Sequence, residues 1–193
     1  MSETAIGRLH PKVRELVTQL GWELTPIQEE ATVDLCNGHD RLLVAPTGSG
    51  KTEIAIALLE AARKKGSRAA MILDRIVLCD QTSKRLDKYD IDHGVLQSGH
   101  WRYRPHEAIQ VCSAQTLEKR GSFPGLSLLI VDEVHQQRRQ TIEFIKANPD
   151  IRVIGLTATP FTKGLGQVYT NVVSPVTTKE LVANGSLVPL KVF

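Results

Sequence analysis

The run Ala45-Pro46-Thr47-Gly48-Ser49-Gly50-Lys51-Thr52 places together the residue types that a phosphate-binding loop requires. Gly48 and Gly50 let the main chain curl round an anion with no Cβ in the way. The successive N–H groups of Thr47, Gly48, Ser49 and Gly50, with those of the helix start that follows, then point at the phosphates. Lys51 brings a mobile positive charge to the outer phosphates of a triphosphate, and the Thr52 hydroxyl is a ligand for Mg²⁺. A plain Gly/Ser turn before a surface helix would explain the glycines but not the Lys-Thr pair that ends the run.

A second chemical feature is Asp132-Glu133, directly after the apolar run Leu128-Leu129-Ile130-Val131. Two acids at the end of a buried strand repel one another and gain nothing from a core. The bland alternative is a helix start decorated with acids, which the helix dipole favours. Beside a phosphate loop they acquire roles. Asp132 holds Mg²⁺ through water, opposite Thr52, and Glu133 orients and deprotonates an attacking water. The chemistry requires the ammonium at position 51 and the acids at 132 and 133 to converge on one magnesium triphosphate, from what we expect to be adjacent strand ends.

The elements that must position these groups follow from periodicity. Arg41-Leu42-Leu43-Val44 reads as a buried strand, and Ile54, Leu58 and Ala61 with Ala62 recur at helical spacing over 53–65, with Gly66 as the stop. Short apolar strands are expected at 69–73, 94–97, 109–112, 128–131 and 152–156. Helices are expected over 76–86, with Ile76, Cys79 and Leu86 inward, and over 136–147, stopped by Asn148-Pro149. A helical turn follows 113–116. Upstream, 10–20 reads as an amphipathic helix ended by Gly21, and Thr25-Pro26 opens another, for which Gln28 occupies the capping-box position. Strands that alternate with helices predict an α/β fold, a mostly parallel sheet covered on both faces, with function at the C-terminal strand ends.

The 193 residues suffice for one domain with a sizeable core. A net charge of +3 permits a nucleic-acid partner without demanding one. Cys36, Cys79 and Cys112 are odd in number and widely spaced, which points to buried thiols in a reducing, cytoplasmic setting and away from a disulfide framework or zinc site. No apolar run reaches membrane-spanning length, and Met1-Ser2-Glu3-Thr4 does not open a signal peptide.

Gln28, the loop from Ala45 to Thr52, Asp132-Glu133-Val134-His135 and Thr157-Ala158-Thr159 resemble, in order and spacing, the superfamily 2 helicases of the DEAD/DEAH type. The resemblance covers nearly the whole chain as the first of two RecA-like motor domains, a three-layer P-loop NTPase fold. It is closest to the DNA helicase and translocase branch, with its restriction-enzyme motor subunits and phage recombination helicases. Glu180-Leu181-Val182, Gly185 and Leu187-Val188-Pro189 resemble a segment of that branch. The resemblance implies ATP and Mg²⁺ as cofactors and catalysis by Lys51, Asp132, Glu133 and His135. It makes Gln28 an adenine-reading amide as well as a cap, and His135 a coupling link to Thr157 and Thr159. It implies nucleic-acid backbone contacts at Arg75, otherwise a helix-start arginine, and at Ser113, Gln115 and Thr116. Asp74 stands where the family pattern has proline.

The resemblance further implies a helicase ATP-binding domain over 1–185. Residues 186–193 would begin the connection to a second RecA-like domain that supplies an arginine finger. DNA is the expected partner before RNA. The alternatives are an RNA helicase and a stand-alone nucleotide-binding regulatory module. The basic, aromatic run His100-Trp101-Arg102-Tyr103-Arg104-Pro105-His106 stays open between a base-stacking loop and an ordinary solvated connection.

Overall fold

The computed structural model describes residues 41–44, 51–120, 125–159, 162–169, 171–173 and 182. Among them the chain runs β1 (Arg41–Val44), α1 (Lys51–Lys64), β2 (Arg68–Leu73), α2 (Ile76–Lys88), β3 (Gly94–Leu96), β4 (Ile109–Ser113), α3 (Ala114–Arg120), β5 (Leu126–Val131), α4 (Arg139–Ala147), β6 (Arg152–Thr157) and β7 (Asn171–Val173). Short 3₁₀ turns occupy Val134–Gln136 and Leu165–Gln167. The strands form one seven-stranded sheet in the order β3-β4-β2-β5-β6-β1-β7, and every pairing is parallel.

The strands are apolar on both faces because both faces are covered. Leu43, Met71, Leu73, Val111, Ile130 and Leu156 pack with Ile54, Ile56 and Leu59 of α1 and with Cys79 and Leu86 of α2. Their neighbours Leu42, Ile72, Cys112, Leu129 and Val153 face the other way, against Ala114 of α3, Ile145 of α4, Leu165 and Tyr169. The three-layer α/β fold expected from the sequence is therefore observed. Gly155 in β6 has no room for a Cβ, which would lie 2.7 Å from the Tyr169 ring and 3.1 Å from Leu42 Cδ1.

Several details depart from expectation. The strand order puts β6 between β1 and β5, so the phosphate-loop strand and the acid-bearing strand are not adjacent. The helix expected over 136–147 is split: Glu133 and Gln137 have φ of 50° and 42°, and left-handed residues cannot continue a right-handed helix. Only the 3₁₀ turn fits between them, and α4 starts after Arg138. Ile76 is 47% exposed. The inward row of α2 is Cys79, Thr82, Ser83 and Leu86, and Ile76 belongs to a first turn that begins beyond Leu73, the last residue of β2. Strand β7 was not expected. It is three residues long, pairs with β1 and leaves Val172 exposed.

The described cysteines Cys79 and Cys112 are free and buried. Burial pushes the Cys79 thiol up to about 12 and the Cys112 thiol well above its usual value. Among the described residues no helix is long and apolar enough to cross a membrane.

Candidate nucleotide and nucleic-acid site

Parallel strands put all their C-terminal ends on one edge, and the candidate residues gather there. Lys51 and Thr52 open α1 and are half-buried. Arg75 follows β2, Gln115 follows β4, Asp132 and Glu133 follow β5, and Thr157 ends β6. Gln28, Thr47, Gly48, Ser49 and Gly50 lie outside the described residues.

Lys51 and the acids interact across the intervening strand. Burial holds the Lys51 ammonium below its usual pKa, while Glu133 and then Asp132 pull it back up. Asp132 is raised to about 6, first by burial and then by the neighbouring Glu133 charge. Its backbone N–H donates to Ile72 O at 2.9 Å, which extends the β2–β5 pairing by one residue. Its Oδ1 accepts the Glu133 N–H at 3.1 Å. Two carboxylates side by side, one of them partly desolvated, make a site that favours a cation.

The left-handed Glu133 turns the chain so that His135 comes back beside it. His135 Nδ1 lies 3.2 Å from Glu133 Oε2 and 3.3 Å from Thr157 Oγ1. A carboxylate only accepts, so Nδ1 carries the proton and donates to both oxygens. Thr157 is fully buried, and its Oγ1 also accepts the Thr159 N–H at 3.0 Å. Glu133, His135, Thr157 and Thr159 thus form one hydrogen-bonded chain from β5 to β6.

Other expected residues divide. Arg75 is exposed and sits in extended conformation as the N-cap of α2. Gln115 is exposed, but Ser113 and Thr116 are buried. Ser113 Oγ accepts the Thr116 N–H at 3.2 Å and donates to Thr116 Oγ1 at 2.8 Å. The Ser113 hydroxyl caps α3 and the Thr116 hydroxyl accepts from it, so of this trio only the Gln115 side chain stands in solvent.

Two arrangements escaped the sequence. Arg138 donates to Asp74 through Nε at 2.9 Å and through a second nitrogen, which ties the start of α4 to the segment between β2 and α2. Glu53, in the first turn of α1, accepts from Tyr89 Oη at 2.9 Å and pairs with Arg85 Nη1 at 3.2 Å, so the far end of α2 steadies the helix that carries Lys51. Partners 36 and 64 residues apart leave no local signal. The only hint was Asp74 itself, an acid in place of a proline.

The family described as "Type III restriction enzyme, res subunit" matches residues 21–162. The chain is 32% identical over 143 residues to the transcription-repair-coupling factor of Bacillus subtilis, covering 65% of this chain and 12% of that protein. It is 31% identical over 161 residues to the DNA 3'-5' translocase XPB2 of Sulfurisphaera tokodaii, covering 80% and 35%. The chain thus spans only a fraction of the curated relatives it matches. Among solved structures, the UvsW helicase of bacteriophage T4 superposes with a TM-score of 0.73 at 17% identity, covering 86% of this chain and 68% of that one. The Hef helicase domain of Pyrococcus furiosus gives 0.66 at 19%, covering 83% and 40%. The sheet order, the Lys51–Asp132–Glu133 site and these matches together place the chain in the type III restriction enzyme res-subunit family, as a superfamily 2 helicase motor domain of RecA-like fold.

Proposed function

We propose that this chain is the ATP-binding half of an ATP-dependent DNA helicase or translocase that couples Mg-ATP hydrolysis to movement on nucleic acid. The observation that supports it most is the mutual electrostatic influence of Lys51, Asp132 and Glu133 at one sheet edge. The donor set suits Mg²⁺: a hydroxyl from Thr52 and an Asp132 carboxylate whose charge lacks full compensation. When bound, the metal neutralises charge that develops on the phosphates. Lys51 holds the outer phosphates. Glu133 takes a proton at its carboxylate from the attacking water, and His135 fixes the orientation of that carboxylate through Nδ1–H. Thr157 and Thr159 pass the state of the site along β6, and Arg75 and Gln115 hold the nucleic-acid backbone.

The partner is DNA before RNA, because the XPB2 relative named above, 31% identical, is described as a DNA translocase. An ATP-dependent RNA helicase of mouse, 26% identical over 174 residues, keeps RNA as the second reading. Within 1–185 we place the motor unit, acting with a second RecA-like unit that supplies the arginine finger. The test is Lys51→Ala with a fluorescent ATP analogue. Loss of most affinity is expected, and an affinity equal to the parent's would refute the proposal.

A further inference from the structure

The segment 97–108 joins β3 to β4 without a helix and remains outside the site described so far. It is held as a frame. The Val95 N–H donates to Arg102 O at 2.9 Å, and Gln110 Nε2 donates to Arg104 O and Glu107 O at 2.9 and 2.8 Å. An Arg68 nitrogen donates to Pro105 O at 2.8 Å. The fit at Gly94 is close enough that a Cβ there would lie 2.2 Å from Arg104 O. The segment is also clamped along α2. His100 Nε2 lies 3.2 Å from Asp80, and Arg102 Nη1 lies 2.7 Å from Asp87.

This frame presents Trp101 to solvent. The indole is 75% exposed, more than any other large hydrophobic side chain among the described residues, and Tyr103 is 49% exposed. The Arg102 guanidinium sits 4.7 Å over the indole, and the His100 ring stacks beside it at 5.8 Å. With the guanidinium over one face, the ring is still three-quarters exposed, which leaves area for a second planar group to stack.

Cations lie along the same loop and helix: Lys84 and Lys88 of α2 and Arg104 of the loop are exposed. Of the acids there, Asp87 pairs with the Arg102 guanidinium, Asp80 lies against the His100 ring, and Glu107 lies 4.0 Å from Arg104. Asp80 lies five residues along α2 from Arg75, about 7.5 Å at 1.5 Å per residue. That is about two steps of a stacked strand at ~3.4 Å each.

We propose that Trp101 is a base-stacking contact for single-stranded nucleic acid, with Tyr103 and the surrounding cations extending the track that begins at Arg75. A rigid aromatic with a cation on one face recognises any base without regard to sequence. This rests on the nucleic-acid reading of the preceding section and adds a site to it.

The test uses the full chain, a labelled oligothymidylate and an abasic strand of equal length, read by fluorescence anisotropy at low salt. Trp101→Ala is expected to weaken oligothymidylate binding about tenfold and to leave the abasic strand and ATP-analogue affinity unchanged. Trp101→Phe restores most of the loss. The side chain supports no core, so the melting temperature stays put. If Trp101→Ala binds oligothymidylate like the parent while Arg75→Ala is weakened, the stacking site is refuted and the nucleic-acid reading stands. Equal losses on both strands likewise rule out stacking. A parent that binds neither strand overturns both.

Discussion

His135 and Thr157, 22 residues apart, are joined by a hydrogen bond of 3.3 Å from Nδ1 to Oγ1, and the same Nδ1 also serves Glu133. The bond ties the end of β6 to the Glu133 carboxylate through one imidazole. Thr157→Val removes the acceptor at nearly constant volume. We expect ATP-analogue affinity within about threefold of the parent, since no phosphate-holding group is touched. Stimulation of hydrolysis by DNA should fall about tenfold in the complete motor, the size of one lost charge-linked hydrogen bond. A matched loss of both would mean that the bond shapes the site and does not couple it.

Asp132 costs the nucleotide-free chain stability. Its carboxyl is raised from 3.8 to about 6, so between these values the folded state holds a proton that the unfolded state has released. Stability then falls as pH rises through this window, and the penalty is complete above it. Asp132→Asn should raise stability at pH 7.5 by about 2 kcal/mol, discounted for residual exposure. The gain should disappear below about pH 4, in urea titrations at both pH values. Hydrolysis should be lost at every pH.

His93 acts in the opposite sense. It is fully buried, with Nε2 2.7 Å from Ser83 Oγ and Nδ1 2.8 Å from Ile91 O. Burial, before any other cause, lowers its pKa below 6.5. Below pH 6.5 the unfolded chain takes up a proton that the folded chain refuses, so stability is lost as pH falls. The slope of stability against pH between 6.5 and 5 should flatten in His93→Gln, even though that variant is less stable overall.

Gly155→Ala would drive a methyl into the Tyr169 ring and Leu42. Overpacking of this kind costs about 1–3 kcal/mol, measurable by chemical denaturation. Gly166→Ala meets nothing within 4 Å and is the control.

The Asp74–Arg138 pair bridges the segment ahead of Arg75 and the segment behind His135. Arg138→Ala leaves a mostly buried carboxylate without its guanidinium and should cost about 1–3 kcal/mol. Asp74→Asn/Arg138→Ala, set against each single change, should recover part of it. Full additivity of the two single changes in a double-mutant cycle would show that the pair contributes nothing.

Much of this was legible because the signals are local. An apolar run as short as 128–131, too short for a helix of its own and followed by two acids, reads as a strand covered twice, and Lys51-Thr52 after two glycines specifies its neighbours. The same locality explains the misses. Glu133 and Gln137 adopt left-handed φ with no glycine to announce it, so the helical pattern over 136–147 concealed a break. Ser113 and Thr116 have the right types for a backbone contact, and only the coordinates show their hydroxyls turned on each other. Sheet order is set by crossovers and not by pattern, so β6 between β1 and β5 was invisible.

Strand β1 has no partner near it in the chain. Arg41 pairs with Ile154 on one side and Asn171 on the other. A ribosome must therefore extend the chain by more than a hundred residues before Leu42 and Leu43 find a ladder. Until then the apolar strand β1 waits unpaired, a slow, non-local closure. In that interval the nascent chain is prone to wrong edge-to-edge association, and the sheet edge that carries Lys51 cannot close before β6 has been made.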